Sequence, residues 1–273
     1  MDVIELIKKE GLRRGLSIRT ITTYCDCVRQ FMRKCPKEPR KITKKDIRDY
    51  IDTLIDRKAA GSTINVHLNA LKFLLEEILC KKVLLRIKYS KRPKSLPTVL
   101  TKEETIRLFD AIENPKHKLM IGLMYSAGLR LSELINLKVG DLELPRNFGW
   151  VRKGKGNKDR LFIISEKLKT EIEQKIADDK LSYSDYLFGG VHGHVHHRTI
   201  QEIVKKAAKR AGILKNVHPH TLRHSFATHL IEDKNDIISV QSLLGHSNIQ
   251  TTMMYLHTTP ARMINVKSPF DAL

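Results

Sequence analysis

One segment of the chain, residues 218–229 (HPHTLRHSFATH), concentrates side chains that can act on a phosphate group. His220 and Arg223 lie three residues apart, so on a helix their side chains share one face. A guanidinium grips nonbridging phosphate oxygens with a planar fork, and an imidazole can add a hydrogen bond or move a proton. The segment therefore predicts a phosphate site, with a solvated basic helix as the alternative.

Two further segments carry residue types that suit the same chemistry. Residues 127–134 (AGLRLSEL) place Arg130 after a small-residue turn, with Glu133 three residues on to orient its guanidinium. After residues 243–247 (LLGHS) comes a predicted helix that bears Tyr255, a residue type able to serve as a nucleophile. Considered alone, Arg130 and Glu133 would be an ordinary surface pair, and Tyr255 would be a core or surface tyrosine. Taken together with residues 218–229, these two segments are hard to explain as packing alone.

Together these segments make the chain resemble the tyrosine recombinases, most closely the Xer type that acts on chromosome dimers, archaeal members included. The stretches AGLRLSELINLKVGDL, KGKGNKDR, HPHTLRHSFATHLIE and LLGHSNIQTTMMYLH each look like a family motif, in the family's order and spacing. The resemblance covers nearly the whole chain and is strongest over residues 96–257. The many Lys, Ile and charged residues are also typical of archaeal or thermophilic proteins.

The resemblance implies a complete catalytic set in this chain. Its positions are Arg130, Lys155, His220, Arg223, His246 and Tyr255, with Glu133 as a supporting acidic residue. No member of the set is missing, whereas a DNA binder without chemistry is expected to have lost at least one. The resemblance therefore predicts an active enzyme.

These residue types explain how a phosphodiester can be opened without a metal ion, ATP or any other cofactor. Two arginines neutralise the charge that builds on the nonbridging oxygens in the pentacoordinate transition state. The Tyr255 hydroxyl, with an ordinary pKa of about 10, needs a base, for which His220 is the candidate. Lys155, on a glycine-flanked turn, can protonate the leaving 5′-oxygen, and His246 can hydrogen-bond the phosphate. The resemblance implies a 3′-phosphotyrosyl intermediate and strand exchange through a Holliday junction.

The elements that must position these residues are mainly helical. Over residues 1–87 the apolar spacing predicts four or so helices, interpreted as an N-terminal domain that binds core DNA. The four are residues 2–14, 18–35 capped by Ser17, a third capped by the segment from Thr43 to Asp46, and a fourth capped by Ser62. Residues 88–99 are basic, contain two prolines and lack periodicity, so they are predicted to form a linker.

The catalytic domain is predicted to occupy residues 100–273. It opens with a capping box formed by Thr101 and Glu104. Two β-prone runs, residues 150–151 and 160–165, flank a Gly/Asn/Asp-rich turn and predict a hairpin. Helical patterns return over residues 166–179, 198–212 and 220–255. The predicted fold class is mainly α, with a four-helix-type N-terminal domain and a small antiparallel β-hairpin or sheet in the α-rich catalytic domain.

The C-terminal tail, residues 258–273, departs from the family pattern. In Xer relatives a C-terminal helix commonly docks onto a neighbouring protomer. Here Pro260 and Pro269 interrupt any continuous helix after Tyr255, so packing in cis and packing in trans both stay open. The resemblance implies a homotetramer in the synaptic complex.

Composition agrees with a nucleic-acid partner. The 273 residues carry 50 Lys and Arg against 30 Asp and Glu, a formal net charge of +20. Residues 1–95 hold 24 basic and 11 acidic residues, so about a third of the chain carries +13 of that excess. Charge and resemblance together imply double-stranded DNA with a specific, dif-like site, and a solvated basic surface is the alternative. The side chains predicted to contact DNA are Lys44, Lys45, Lys91, Arg92, Lys94, Lys153 and Lys158.

Other functional classes find little support. No apolar run approaches the roughly 18 residues that span a bilayer, and the N-terminus lacks a secretory signal, which predicts a cytoplasmic protein. Cys25 and Cys27 are too closely spaced for a zinc knuckle, so the four cysteines are predicted to be buried free thiols. The histidines of residues 190–197 are interpreted as a surface turn. No metal site and no small-molecule substrate is expected.

Three alternatives to chromosome-dimer resolution stay open. A mobile-element integrase has the same catalytic set, although the short N-terminus lacks an added arm-site-binding domain. A type IB topoisomerase shares the tyrosine, arginine, lysine and histidine residues, and it would relax plasmids that lack any specific site. A DNA-binding architectural protein would need none of these residues and would not cleave a suicide substrate.

Overall fold

The structure is a computed structural model. It describes residues 2–81, 96–152, 159–190, 193–245, 248, 250–253 and 255. The chain divides into two compact units, residues 1–94 and 95–273. The predicted boundary at residues 87–88 falls outside the described residues, so the predicted domain limits remain a prediction. Within the described residues, no helix has the length and apolar character needed to cross a membrane.

The N-terminal unit consists of helices. They are α1 (Val3–Arg13), α2 (Ile18–Lys34), α3 (Lys44–Asp56) and α4 (Gly61–Lys72), and α4 continues as a π-helical segment over Phe73–Ile78. Three of these helices begin where side-chain caps are available. Asp2, Ser17 and Thr43 each accept backbone N–H groups of the first turn, and Asp46 completes a capping box with Thr43.

The predicted cap of the fourth helix is wrong. α4 begins at Gly61, after Ala60, and Ala60 makes no side-chain cap. Ser62 instead lies inside the first turn. The N–H groups of a first turn have no intrahelical partner in any case, so Gly61 and Ser62 fit there without loss of a hydrogen bond.

The core of the N-terminal unit takes residues from all four helices, including Ile7, Phe31, Ile47 and Leu71, which are fully shielded from solvent. Cys25, Cys27 and Cys35 are buried free thiols, as predicted. The same prediction is wrong for Cys80, which is exposed. Cys80 follows the last helical turn and has a left-handed backbone (φ +49°), so it lies beyond the positions that face the core.

The C-terminal unit combines eight described helices with two small antiparallel sheets. Its helices are α5 (Lys102–Asp110), α6 (Pro115–Ser126), α7 (Leu131–Ile135), α8 (Glu166–Asp178), α9 (His197–Arg210), α10 (Pro219–Glu232), α11 (Ile237–Leu244) and α12 (Gln250–Met253). Its strands are β1 (Leu142–Glu143), β2 (Phe148–Val151), β3 (Arg160–Ile163), β4 (Gly189–Gly190) and β5 (Gly193–His194). The first sheet has the order β1-β2-β3 and the second pairs β4 with β5. The prediction of a mainly α fold with small antiparallel sheets is confirmed.

Two helices form the centre of the C-terminal unit. α6 is apolar on nearly all sides and packs against α8, α9 and α10. α10 buries most of its residues, among them Leu222 and Ala227. The turn that follows α6 carries Arg130, and α10 carries buried Arg223 and exposed His220. The predicted site residues are therefore attached to two well-packed helices of this unit.

Candidate active site

The turn after α6 places Arg130. Gly128 has a left-handed backbone (φ +57°), and a Cβ atom there would lie 2.5 Å from the ring of Phe226. Glycine is the residue that satisfies both the backbone angle and the space. The chain reverses at this point, and Arg130 lies directly before the first residue of α7.

Glu133 fixes the orientation of Arg130 through two hydrogen bonds. The Arg130 backbone N–H donates to Oε2 of Glu133 at 2.8 Å, and Nη1 of Arg130 donates to Oε1 at 2.6 Å. The Glu133 side chain is buried, whereas the Arg130 side chain keeps 17% of its surface exposed. The guanidinium is thus held from one side and open on the other, as an anion-binding group must be.

Arg160 completes this cluster, and the sequence pattern did not single it out. It is the first residue of β3, and its side chain is only 8% exposed. Nη2 donates to Oε2 of Glu133 at 2.7 Å, while Nη1 donates to the carbonyls of Leu161 and Leu243. Its only sequence signal is its place at the end of the KGKGNKDR stretch.

The charge of Glu133 is shared among three guanidiniums. Besides Arg130 and Arg160, Nη1 of Arg223 lies 3.7 Å from Oε2 of Glu133. Burial raises the pKa of the Glu133 carboxyl, but the charges and hydrogen bonds of Arg160 and Arg130 outweigh it and hold that pKa below its usual range. One ionised carboxylate among three cations leaves a net positive site that suits a phosphate.

The Arg223 side chain is held by two backbone carbonyls. It lies on α10 with 3% of its side chain exposed, and Nη1 donates to the Gly128 carbonyl at 2.6 Å while Nη2 donates to the Leu244 carbonyl. Burial, together with the charge of Arg130, lowers the pKa of Arg223 below its ordinary value. Its two backbone bonds tie the turn after α6 to the C-terminal end of α11.

Tyr255 lies against α10, where its partner is His224. Nδ1 of His224 and the Tyr255 hydroxyl are hydrogen-bonded at 2.9 Å. Tyr255 is 1% exposed and packs among Phe226, Val240 and Leu244. Burial raises the pKa of Tyr255, although the charges of two site arginines act in the opposite direction.

His220 lies one helical turn before His224, with the two ring centroids 6.3 Å apart. It is on the exposed side of α10, and partial desolvation and the neighbouring charges of His218 and Arg223 lower its pKa. The imidazole that contacts the tyrosine is therefore His224, a residue that sequence reasoning missed. Its position four residues after His220, on the same helix face, was the available signal.

The structure thus brings together only part of the predicted set. Glu133 brings together Arg130, Arg160 and Arg223, while Tyr255 is bonded to His224, and His220 lies one turn before His224 on α10. The predicted residues outside the described part of the chain are Lys155, His246, Lys91, Arg92, Lys94, Lys153 and Lys158. Lys44 and Lys45 lie in the first turn of α3, in the N-terminal unit.

A metal centre is not what these side chains form. Among the described residues, no group of three or more His, Cys, Asp or Glu side chains is placed to hold a metal ion. The described cluster is cationic, and guanidiniums bind phosphate oxygens directly.

Two family profiles match this chain. The Phage integrase family matches residues 98–262, and the Phage integrase N-terminal SAM-like domain matches residues 5–84. Among solved structures, the chain is similar to the XerA recombinase, with 28% identity, a TM-score of 0.57 and coverage of 98% of this chain and 99% of that one. The XerH recombinase bound to a palindromic difH substrate shares the fold, with a TM-score of 0.76 at 22% identity, over 94% of this chain and 82% of that one.

Curated relatives are similar over almost the whole length. Tyrosine recombinase XerD of Oceanobacillus iheyensis is 35% identical in an alignment of 273 positions, gaps included, that covers 92% of each chain. Tyrosine recombinase XerA of Pyrococcus horikoshii is 36% identical over 262 residues, covering 94% of this chain and 90% of the relative. The resemblance predicted from the four sequence stretches is confirmed. The chain belongs to the phage integrase family, as a tyrosine recombinase of the Xer type, a family of DNA breaking and rejoining enzymes of site-specific recombination.

Proposed function

We propose that this chain recombines DNA at a specific site by forming a covalent bond between Tyr255 and a 3′-phosphate. The observation that carries the proposal is the pairing of Arg130 and Arg223 with one buried carboxylate, Glu133, together with the hydrogen bond of Tyr255 to His224, the residue after Arg223 on α10. Burial raises the pKa of Tyr255, and the charges of both guanidiniums act to lower it. A phosphate bound by these two cations would lie beside the hydroxyl.

The arginines supply the main catalytic effect in this mechanism. Negative charge on the nonbridging oxygens increases as phosphorus becomes pentacoordinate. Glu133 and two backbone carbonyls already hold Arg130 and Arg223, so little reorganisation is needed when that charge develops. Loss of one such donor typically slows a reaction by about 100- to 1000-fold.

The proton and bond changes balance without a cofactor. As the Tyr255 oxygen bonds to phosphorus, the bond to the 5′-oxygen breaks and that oxygen takes a proton. By family resemblance Lys155 gives this proton, His220 accepts the proton of the hydroxyl, and His246 hydrogen-bonds the phosphate. The 5′-hydroxyl of a partner strand then attacks the phosphotyrosine, and two such rounds pass through a Holliday junction.

The proposed substrate is a dif-like site, and the proposed role is the resolution of chromosome dimers in the cytoplasm by a tetramer on DNA. Relatives named XerD and XerA, and a structural neighbour bound to a difH substrate, support this assignment. In this proposal the domain of residues 1–87 and the basic linker 88–99 bind the duplex. Lys44 and Lys45, at the start of α3, contact its phosphates.

The decisive experiment recovers the DNA itself. Purified full chain is mixed with fragmented chromosomal DNA of the source organism, the mixture is denatured with detergent, and DNA that stays attached is sequenced. We expect one enriched site, no recovery with Tyr255→Phe, and normal recovery with Tyr183→Phe, because Tyr183 is 79% exposed and remote in sequence from the site. Attachment of DNA to Tyr255→Phe, or recovery without any site preference, would contradict the proposal.

A further inference from the structure

Three tyrosine–histidine hydrogen bonds occur in the described residues, and one differs from the other two. The Tyr50 hydroxyl bonds to Nδ1 of His67 at 3.0 Å inside the N-terminal core. The Tyr125 hydroxyl bonds to Nδ1 of His229 at 2.8 Å, and Nε2 of His229 donates to the Leu100 carbonyl at 3.0 Å. These two bonds satisfy buried polar groups between packed helices. The third, between His224 and Tyr255, involves the proposed nucleophile.

Tyr255 follows a short helix and is hydrogen-bonded to a longer one. α12 is four residues long, Gln250–Met253, and Tyr255 follows it. A helix this short has little stability of its own. α10, in contrast, has 14 residues and is central to the core. The hydrogen bond to His224 therefore joins the residue that follows α12 to α10.

The bond also sets where the hydroxyl lies. His224 follows Arg223 directly on α10, and the Arg223 guanidinium is held by the carbonyls of Gly128 and Leu244. Leu244 also packs against Tyr255 in the same apolar cluster. Fixing the hydroxyl on His224 thus fixes it relative to the guanidinium that would bind the phosphate.

We propose that His224 is a positioning residue for Tyr255, holding the hydroxyl beside Arg223 before DNA binds. This inference rests on the proposed nucleophilic role of Tyr255. The contact orients the hydroxyl and does not activate it. Burial and the charges of His220, His218 and Arg223 lower the pKa of His224 to about 4, while burial raises the pKa of Tyr255. The proton therefore stays on the tyrosine in the DNA-free chain.

Chemical nitration of the DNA-free full chain tests the contact directly. Tetranitromethane is applied at pH 8, and the nitrated tyrosines are quantified by peptide mass spectrometry. In the wild type, exposed Tyr183 reacts fast and buried Tyr255 slowly. His224→Leu should nitrate at Tyr255 at least tenfold faster. His224→Asn should stay close to the wild type, because an asparagine amide reaches the place of Nδ1.

A matched control separates positioning from general loosening. His229→Leu removes the same kind of bond from Tyr125, so it should speed nitration of Tyr125 and leave Tyr255 unchanged. The inference is overturned if His224→Leu leaves the Tyr255 rate within twofold of the wild type. It is also overturned if His224→Leu speeds Tyr125 and Tyr255 together, or if the asparagine variant behaves like leucine.

The covalent reaction gives a second readout. On the DNA site recovered above, His224→Leu should slow covalent-complex formation at least tenfold at saturating DNA, with unchanged DNA affinity, and His224→Asn should restore most of the rate. If even the wild type forms no covalent complex, the proposed function fails, and nitration still decides the role of His224. A normal covalent rate in His224→Leu would overturn the inference.

Discussion

At the scale of single residues, the site depends on one buried carboxylate. Glu133 accepts hydrogen bonds from Arg130 and Arg160 and lies within ion-pair distance of Arg223. Arg130 and Arg223 are the guanidiniums proposed to bind phosphate, and the described contacts of Arg160 are to protein groups. Arg160 therefore neutralises part of the Glu133 charge.

Arg160→Met should destabilise the C-terminal unit strongly. Removing one member of a buried ion pair typically costs about 3–5 kcal/mol, and we expect the lower end here because Arg130 and Arg223 still pair with Glu133. Arg160→Lys should recover only part of the loss, because a lysine lacks the fork that reaches both Glu133 and the Leu243 carbonyl. Urea unfolding measures both changes.

An exposed ion pair supplies the control for this prediction. Arg210→Met breaks the pair with Glu113, 3.3 Å long and more than half exposed on both sides. Its effect should be small, because solvent screens such pairs. Similar losses for Arg160→Met and Arg210→Met would refute the account of the buried cluster.

At the scale of elements, chain reversals at two glycines bring the site together. Gly128 ends the segment after α6, and Gly245 (φ +60°) ends α11, where a Cβ atom would lie 2.6 Å from Cδ of Arg160. Arg223 bonds to the carbonyls of Gly128 and Leu244 at these two reversals. The loops are therefore part of the active-site scaffold.

Gly128→Ala should lower both stability and the rate of covalent reaction. The left-handed backbone costs an alanine about 1–2 kcal/mol, and the clash with the Phe226 ring adds about 1–3 kcal/mol. Gly212→Ala is the matched control, since Gly212 has a similar backbone (φ +65°) and open space around it. Equal losses of unfolding free energy in the two variants would show that the Phe226 contact has no effect.

Among the contacts within and between elements, the sequence predicted those between residues close together in the chain. The segment from Thr43 to Asp46 caps α3 as predicted, and Thr101 with Glu104 forms the predicted capping box, because a cap joins residues only three positions apart. The bond from His224 to Tyr255 spans 31 residues. Such contacts depend on how helices pack, and neither residue spacing nor charge reveals them. Sequence therefore predicted the helix starts better than it predicted the neighbours of Tyr255.

At the scale of the whole molecule, histidines buried in both units link stability to pH. Burial lowers the pKa of His67 and of His229 below the ordinary value of 6.5. The unfolded chain then binds more protons than the folded chain at mildly acidic pH, so acid favours unfolding. The stabilising effect of these neutral histidines is complete above about pH 6.5 and is lost as the pH falls below it.

We therefore expect the free energy of unfolding to decrease between pH 7.5 and pH 5.5. His229→Gln should flatten this dependence for the C-terminal unit, because it removes one titrating group. Urea unfolding at a series of pH values measures the slope. A stability that is constant or rises on acidification, or an unchanged slope in the variant, would contradict this assignment.

The net charge of +20 is a property of the whole chain, and it favours association with a polyanion. If Lys44 and Lys45 each neutralise one phosphate, replacing both with Gln should lower the slope of log affinity against log salt by about 1.8, from about 0.9 for each phosphate. Fluorescence anisotropy with a labelled duplex at several salt concentrations gives this slope. An unchanged slope would exclude both lysines from the DNA contact.

The most direct test of the central claim identifies the atom that holds the DNA. Covalent complexes are digested with nuclease and protease, and the peptide that carries the nucleotide is sequenced by mass spectrometry. We predict a nucleotide joined through its 3′-phosphate to the oxygen of Tyr255, with a free 5′-hydroxyl on the released strand. A nucleotide on another residue, or a linkage through the 5′-phosphate, would contradict the account.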